Sequence, residues 1–186
     1  MTRILGIDPG LTRCGVGIVD VDNRRNCSLV HVSVASTKPD SELSKRIGSI
    51  ATEIETAILT YKPGAIAIER VFAQANLRSV MGVAQISGVV LYLADKHNIP
   101  LRFFTPSEVK AAVTGSGRAP KDQVGTMVAK ILGLAQMPKP ADAADALAIA
   151  IASAWKPELT ASNQGETAAQ RKWQEAQAAA VNKRAR

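Results

Sequence analysis

Four acidic residues stand where a charge is costly unless it has a partner. Asp8 ends the apolar run ILGI and precedes Pro9-Gly10, and Glu69 ends the similar run AIAI. Asp142 and Asp145 lie three residues apart in ADAADALAIAIASAW, so they share one face of an otherwise apolar helix. No basic residue close in sequence pairs with the two helical acids. Because buried charges need partners, we expect a divalent cation to bind these acids.

Such a cluster of acids has a specific chemistry. Two carboxylates about 4 Å apart repel each other by roughly 4 kcal/mol at an effective dielectric constant of 20, and a bound cation removes this penalty. Ligation by oxygen alone suits Mg²⁺ or Mn²⁺. Two such ions can activate a water and stabilise the leaving 3′ oxygen of a phosphodiester. We therefore expect hydrolysis of a phosphodiester with two Mg²⁺ ions per site, for which Mn²⁺ can substitute.

A simpler interpretation exists for each helical acid alone. Asp142 can be an N-cap or first-turn acid that the helix dipole favours, and Asp145 can be a solvated surface residue. The set of acids is harder to explain in this way, since so apolar a helix should be buried on most sides.

The charge of the chain favours a polyanionic partner. The 186 residues carry a net charge of +7, and the pI is about 9.7. Residues 156–186 hold 6 basic and 3 acidic side chains, which leaves 17 and 13 before them, so residues 1–155 are basic without the C-terminal segment. Lysine and arginine that neutralise phosphates gain from counterion release. Nucleic acid is therefore the leading candidate.

The elements that must position the acids follow from hydrophobic periodicity and turn signals. Three strand-like runs in succession predict an antiparallel meander, and helices alternate with strands after it. Asp40 or Ser41 is the expected cap of the first helix, which Lys62-Pro63-Gly64 ends. The predicted fold is α/β with a five-stranded mixed sheet: strands 3–8, 14–21, 26–36, 65–70 and 101–105, and helices from 40 or 41 to about 61, 76–98, 106–113, 121–132 and 141–155.

The length fits one ordinary domain, which we place at residues 1–155. Residues 156–186 are rich in Ala, Gln and basic residues with little apolar periodicity, which predicts a flexible basic tail. Cys14 and Cys27 are not expected to pair, because the intervening turn would place Cys27 opposite about Asp20. The sequence shows no signal peptide, membrane span or lipidation motif, so the cytoplasm is the expected location and no membrane partner is expected.

The segments ILGIDPG, AIERVF and ADAADALAIAI, in this order and spacing, resemble the RuvC family of crossover junction endodeoxyribonucleases over about residues 1–155. The resemblance implies a ribonuclease-H-like fold, a homodimer and a divalent metal. It also implies a Holliday-junction resolvase of recombination and repair, which makes paired symmetric nicks in four-way junction DNA together with the branch-migration proteins RuvA and RuvB. The four acids fall on the family's catalytic acids. The last acid differs in some members, so either direct ligation or a supporting role fits Asp145.

The resemblance also assigns two lysines. Lys110 and Lys121 match the family's lysines near the scissile phosphate, although either position also suits an ordinary solvated lysine at a helix end. Between them, Ser116, Gly117 and Arg118 form a glycine loop whose backbone can approach a phosphate closely. We therefore expect this loop to bind DNA.

Further DNA contacts are expected after Glu69. By resemblance, Phe72 stacks on an unpaired base at the crossover, a contact worth about 1–3 kcal/mol; packing against the second helix is the alternative. Arg70 and Arg78 flank this segment and are candidate phosphate contacts. The second helix carries small residues that would let another helix approach, so it is the candidate dimer interface: Gly82, Ser87 and Gly88.

Two other classes of function share part of the pattern. An Asp-Pro-Gly after a strand also occurs in actin-like and sugar-kinase ATPases, but these proteins enclose a nucleotide between two lobes, and this chain is too short for both. A junction-binding protein without catalysis is the other alternative. The complete set of acids argues against it.

Overall fold

Five strands form one mixed sheet in the order β3-β2-β1-β4-β5. The structure is a computed structural model, and it describes residues 1–70 and 77–156, without the side chains of 77–79. The central strand β1 pairs antiparallel with β2 and parallel with β4, which confirms the predicted meander and the mixed sheet. The strands are β1 (Thr2–Asp8), β2 (Arg13–Val21), β3 (Cys27–Ser36), β4 (Ala65–Glu69) and β5 (Leu101–Phe104).

The helices lie where the periodicity predicts them, within a few residues at each end. They are α1 (Leu43–Tyr61), α2 (Leu77–Lys96), α3 (Pro106–Thr114), α4 (Lys121–Ile131) and α5 (Ala141–Trp155). The predicted cap of α1 is wrong, because Asp40 and Ser41 belong to a turn in which the Ser41 N–H donates to the Lys38 carbonyl. Glu42 occupies the N-cap and makes no side-chain capping bond.

The two faces of the sheet carry different cores. On one face, α5 is buried along almost its whole length and packs with α3 and α4. On the other face, α1 and α2 pack on the large aliphatic side chains of the strands. Odd and even positions of β1 divide between the faces, since Ile4 belongs to the first core and Leu5 to the second. The buried environment predicted for α5 is confirmed.

Glycines of β1 and β2 let the backbone of α5 lie directly on the sheet. A Cβ on Gly15 would overlap the carbonyl oxygen of Asp142, and a Cβ on Gly17 would lie 2.8 Å from the Leu147 nitrogen. Gly6 meets the Ala146 carbonyl in the same way. We call Gly6, Gly15 and Gly17 the glycine seat. It fixes α5, and with it the acids on α5, against the two strands.

The register of β2 and β3 explains the state of the two cysteines. Cys27 lies opposite Val21, one residue from the predicted position, and Cys14 lies opposite Ala35. Both thiols are free and buried. Within the described residues, none of the helices is both long enough and apolar enough to span a membrane. Residues 157–186 lie outside the described part of the chain, so the flexible tail remains a prediction.

Candidate active site

Asp8 and Glu69 meet at one edge of the sheet because their strands run parallel. The pairing of β1 with β4 places Ile7 opposite Ile68, so each strand delivers its acid one residue further along. The three residues before each acid are buried, whereas the two acids are partly exposed. The sequence prediction that the two strands bring their carboxylates together is thus supported by the geometry.

The acids of α5 reach the same edge through the glycine seat. Asp8 is paired across the sheet with Gly15 of β2, and Gly15 contacts the backbone of Asp142 in the first turn of α5. The helix continues through Asp145, which lines a cavity together with Asp8 and Glu69. One strand register and one close helix contact therefore bring acids together that are more than 130 residues apart in the chain.

The proximity of the acids changes their ionisation. Burial, followed by the negative charges of Asp145, Glu69 and Asp142, raises the pKa of Asp8 from its usual 3.8 to about 7. Burial and the charge of Asp145 also raise the pKa of Glu69. Such mutual repulsion is the property expected of carboxylates gathered to bind a cation.

Two cations from distant parts of the chain pair with the helical acids. Lys121 Nζ lies 3.2 Å from Asp145 Oδ2, and Arg13 Nε lies 2.9 Å from Asp142 Oδ2. The Arg13 contact is an ion pair without hydrogen-bond alignment, because Asp142 Oδ2 is buried and has no hydrogen-bond partner. Arg13 was missed at the sequence level, since nothing in its local pattern relates it to an acid 129 positions away.

The cavity at the acids measures about 210 Å³. Lys110 of α3 and Lys121 of α4 line it together with the carboxylates, while Val109, Val124 and Ala148 form an apolar part of its wall. The start of α3, the helix that carries Lys110, is fixed by a capping box in which the Thr105 side chain and Glu108 bond each other's backbone N–H groups. The structure thus brings both predicted lysines to the predicted acids.

The residues present fit a hard divalent cation. The acids offer oxygen ligands only, and the buried Oδ2 of Asp142 makes no hydrogen bond and is held by the ion pair with Arg13 alone. In the described part of the chain, no three His, Cys, Asp or Glu side chains are close enough to form a preformed metal site. This looser arrangement suits a divalent cation that keeps several of its waters.

Some of the predicted DNA contacts lie outside the acid cavity, and the structure describes part of them. Ser116 and Arg118 are exposed between α3 and α4, but their N–H groups already donate to Thr114 Oγ1 and Ser116 Oγ. The Arg70 guanidinium carbon lies 5.8 Å from the centre of the Phe103 ring. Phe72 lies outside the described residues, as does the side chain of Arg78.

Of the three small residues expected at an interface on α2, Gly88 is exposed and the other two are buried. Gly82 is buried against Leu11, and the buried Ser87 hydroxyl donates to the Val83 carbonyl. Gly88 is exposed, and a Cβ there would meet nothing within 4 Å. The expectation that all three contribute to an interface is therefore wrong for Gly82 and Ser87, which serve packing within this chain.

Comparison with known proteins places the chain in a family. Residues 4–153 match the family model described as crossover junction endodeoxyribonuclease RuvC. The chain is 56% identical over 154 residues to the protein of that name from Saccharopolyspora erythraea, covering 83% of this chain and 77% of the relative. It is 52% identical to the one from Pseudarthrobacter chlorophenolicus, covering 96% of each chain.

A solved structure agrees in fold as well as in sequence. It is Thermus thermophilus RuvC in complex with Holliday junction substrate, which is 35% identical and superposes with a TM-score of 0.78 over 82% of this chain and 92% of the other. The predicted ribonuclease-H-like fold is thereby confirmed. With the family match over most of its length, this chain belongs to the RuvC family of crossover junction endodeoxyribonucleases, which are metal-dependent nucleases.

Proposed function

We propose that this protein resolves Holliday junctions, making paired symmetric nicks in four-way junction DNA during recombination and repair. The observation that carries the proposal is the cavity where Asp8, Glu69 and Asp145 face Lys110 and Lys121. Family membership supports the hydrolytic reaction. The substrate is supported by the relative whose structure contains a Holliday junction.

The acids would hold the metal in this mechanism. Asp8, Glu69 and Asp142 are the proposed ligands, and Asp145 acts as a ligand or as a support held by Lys121. Two Mg²⁺ ions, for which Mn²⁺ can substitute, would supply an activated water and stabilise the leaving oxygen of the phosphodiester. The chain itself holds the acids on the sheet edge and on α5, so their positions are set before DNA binds.

The two lysines act on the phosphate. Lys110 and Lys121 line the cavity together with the acids, and the acidic neighbours raise the pKa of Lys121, which keeps it charged. A charged lysine at this place attracts the scissile phosphate and offsets its negative charge during cleavage. Lys121 then contacts Asp145 on one side and the phosphate on the other.

Further DNA contacts and partners follow from the family. We propose that Phe72 stacks on an unpaired base, and that Arg70, Arg78 and the loop of Ser116, Gly117 and Arg118 contact the backbone. The basic charge of residues 1–155 supports such contacts. RuvA and RuvB are the proposed protein partners, and the cytoplasm is the proposed location.

A homodimer would match the two-fold symmetry of a four-way junction. The side of α2 away from the core exposes apolar residues at helical spacing, with Leu91 44% and Tyr92 63% exposed. We call this stripe the α2 face; it consists of Met81, Ala84, Gly88, Leu91 and Tyr92. Its flat centre at Gly88 would let the same face of a second copy approach closely.

The dimer is tested by charging the α2 face. Leu91→Glu should convert a dimer into a monomer in sedimentation velocity at micromolar concentration, because the glutamate would be buried without a partner. Leu59→Glu is the matched control, since Leu59 is 59% exposed on α1 away from this face. A wild-type protein that is already monomeric, or a Leu91→Glu protein that remains dimeric, would contradict the proposed interface.

Resolution is tested with a synthetic mobile four-way junction and a linear duplex of the same sequence. With Mg²⁺, the wild-type protein should cut only the junction, at symmetric positions in two strands. Asp8→Asn should lower the rate by about 10³-fold or more while the protein still binds the junction, because the lost metal contact is worth several kcal/mol. Asp22→Asn, in the turn after β2, is the control.

Three outcomes separate the alternatives. Equal cutting of the linear duplex would indicate a nuclease without junction specificity. Tight junction binding by the wild-type protein without any cutting would indicate a binding protein. Loss of binding in a folded Asp8→Asn protein would contradict the role given to that acid.

A further inference from the structure

Another, larger cavity is lined by Asp142, the one proposed acid that does not line the acid cavity. It measures about 730 Å³ and lies between the loop that follows β1, the N-terminal part of α1 and α2. Arg13, Arg46 and Thr12 line it, together with Asp142. We call it the arginine groove. The resolvase chemistry described above uses no residue of this groove except Asp142.

Arg46 is held rigidly in the groove by neutral groups. Its Nε donates to Thr37 Oγ1 at 3.0 Å, its Nη2 to Thr12 Oγ1 at 3.0 Å and its Nη1 to the Pro39 carbonyl at 3.4 Å. Within the described residues, Arg46 forms no ion pair with a carboxylate. Its orientation is therefore fixed while its charge is left for an anion.

Arg13 also lines the groove, and its side chain is 61% exposed. Its ion pair with Asp142 offsets the one carboxylate that lines the groove. The charge of Arg46 is not offset in this way, so the groove has a net positive charge. Thr12 adds a donor, because its oxygen accepts from Arg46 and its own hydroxyl hydrogen remains available.

We propose that the arginine groove binds the phosphodiester backbone of the cleaved DNA strand next to the scissile phosphate. Arg46 is the fixed contact and Arg13 the adjustable one, and Thr12 donates to a phosphate oxygen. The position follows from Asp142, which belongs to the acid set and also lines the groove, so a strand leaving the acids on this side enters it. The proposal rests on the function proposed above and adds a subsite to it.

The salt dependence of binding tests the groove. Junction affinity is measured by fluorescence anisotropy at several salt concentrations with Ca²⁺ as the divalent ion, for wild type, Arg13→Gln and Arg46→Gln. Each lost phosphate contact should reduce the slope of log K against log salt by about 0.9. Arg13→Lys and Arg46→Lys keep the charge, so they should retain most of the slope.

Arg24→Gln is the matched control for lost charge. Arg24 is exposed in the turn beyond the far end of β2, a strand of 9 residues that begins at Arg13. At about 3.3 Å per residue, the two arginines are separated by a distance on the order of 30 Å. Arg24→Gln should therefore leave the slope of log K against log salt unchanged. Thermal unfolding of Arg46→Gln checks that the loop held by Thr12 and Thr37 remains folded.

The outcomes distinguish the groove from the wider proposal. Unchanged slopes in both folded Gln variants would overturn the groove, whatever the junction activity. Lowered slopes in the two Gln variants, together with equal binding of junction and linear duplex by the wild-type protein, would support the groove and contradict junction specificity. If Arg24→Gln lowered the slope equally, the change would be explained by the loss of net charge alone, and the proposed site would be overturned. Failure of the wild-type protein to bind DNA would overturn both proposals.

Discussion

On one face of the sheet, α5 rests its backbone on glycine, whereas on the other face α1 and α2 pack through large aliphatic side chains. A Cβ at Gly15 has no space, since the Asp142 carbonyl occupies it. The opposite core is filled by residues such as Ile54 and Ile86, which are fully buried side chains without a chemical role. Backbone contact fixes position closely, while aliphatic packing mainly supplies stability. The acids on α5 are carried by the face that fixes position.

The largest expected effect is a loss of stability without a loss of activity, on the face of the sheet that α1 and α2 cover. Ile54→Ala removes most of a fully buried side chain and should cost about 2–5 kcal/mol of unfolding free energy. Urea denaturation measures the loss. The junction-cleavage rate of the folded fraction should stay within about twofold of wild type. A large drop in that rate would show that this face also positions the acids.

The glycine face should respond in the opposite way. Gly15→Ala forces α5 away from β2 and should lower the cleavage rate by about 10²-fold, because a displacement of 1 Å at a catalytic group can have that effect. The stability cost should be about 1–3 kcal/mol. The cleavage rate is measured in a single-turnover assay with protein that has been shown to be folded. Gly48→Ala is the control, since a Cβ there meets nothing within 4 Å.

The fixed acids also predict a pH dependence of stability. The pKa of Asp8 rises from 3.8 to about 7 on folding, so the folded protein binds this proton more tightly than the unfolded chain. The resulting stabilisation is present below about pH 4 and is lost as the pH rises to 7. In EDTA, the unfolding free energy of wild type relative to Asp8→Asn should fall by roughly 4 kcal/mol between pH 4 and 8. Parallel curves from urea denaturation would contradict the clustering of the acids.

The smallest effect concerns a cation that supports the fixed acids. Lys121→Gln removes the contact to Asp145 and the charge near the phosphate, so cleavage should slow by about tenfold, equivalent to roughly 1.4 kcal/mol. Lys130→Gln, in the last turn of the same helix, is the control. Equal rates for the two variants in a single-turnover assay would exclude Lys121 from the reaction.

The sequence by itself determined the identity of the acids and the elements that carry them. A charge at the end of an apolar run, as at Asp8 and Glu69, is visible locally because its cost depends on the residues beside it. The periods of two and of about 3.6 residues located the strands and helices for the same reason. Lys110 and Lys121 were found through family motifs, and the structure brings both to the cavity.

Only the tertiary structure decided which distant groups meet. The ion pair of Arg13 with Asp142 depends on the register of β2 and on the contact of α5 with the glycine seat. Neither can be predicted from the residues around Arg13. Gly82 and Gly88 look alike in sequence, yet one packs on Leu11 and the other faces open space. The fixed charge of Arg46 likewise depends on three acceptors from two separate segments, the loop after β1 and the segment after β3. Local patterns report how buried a residue is, whereas its partner is set by long-range packing.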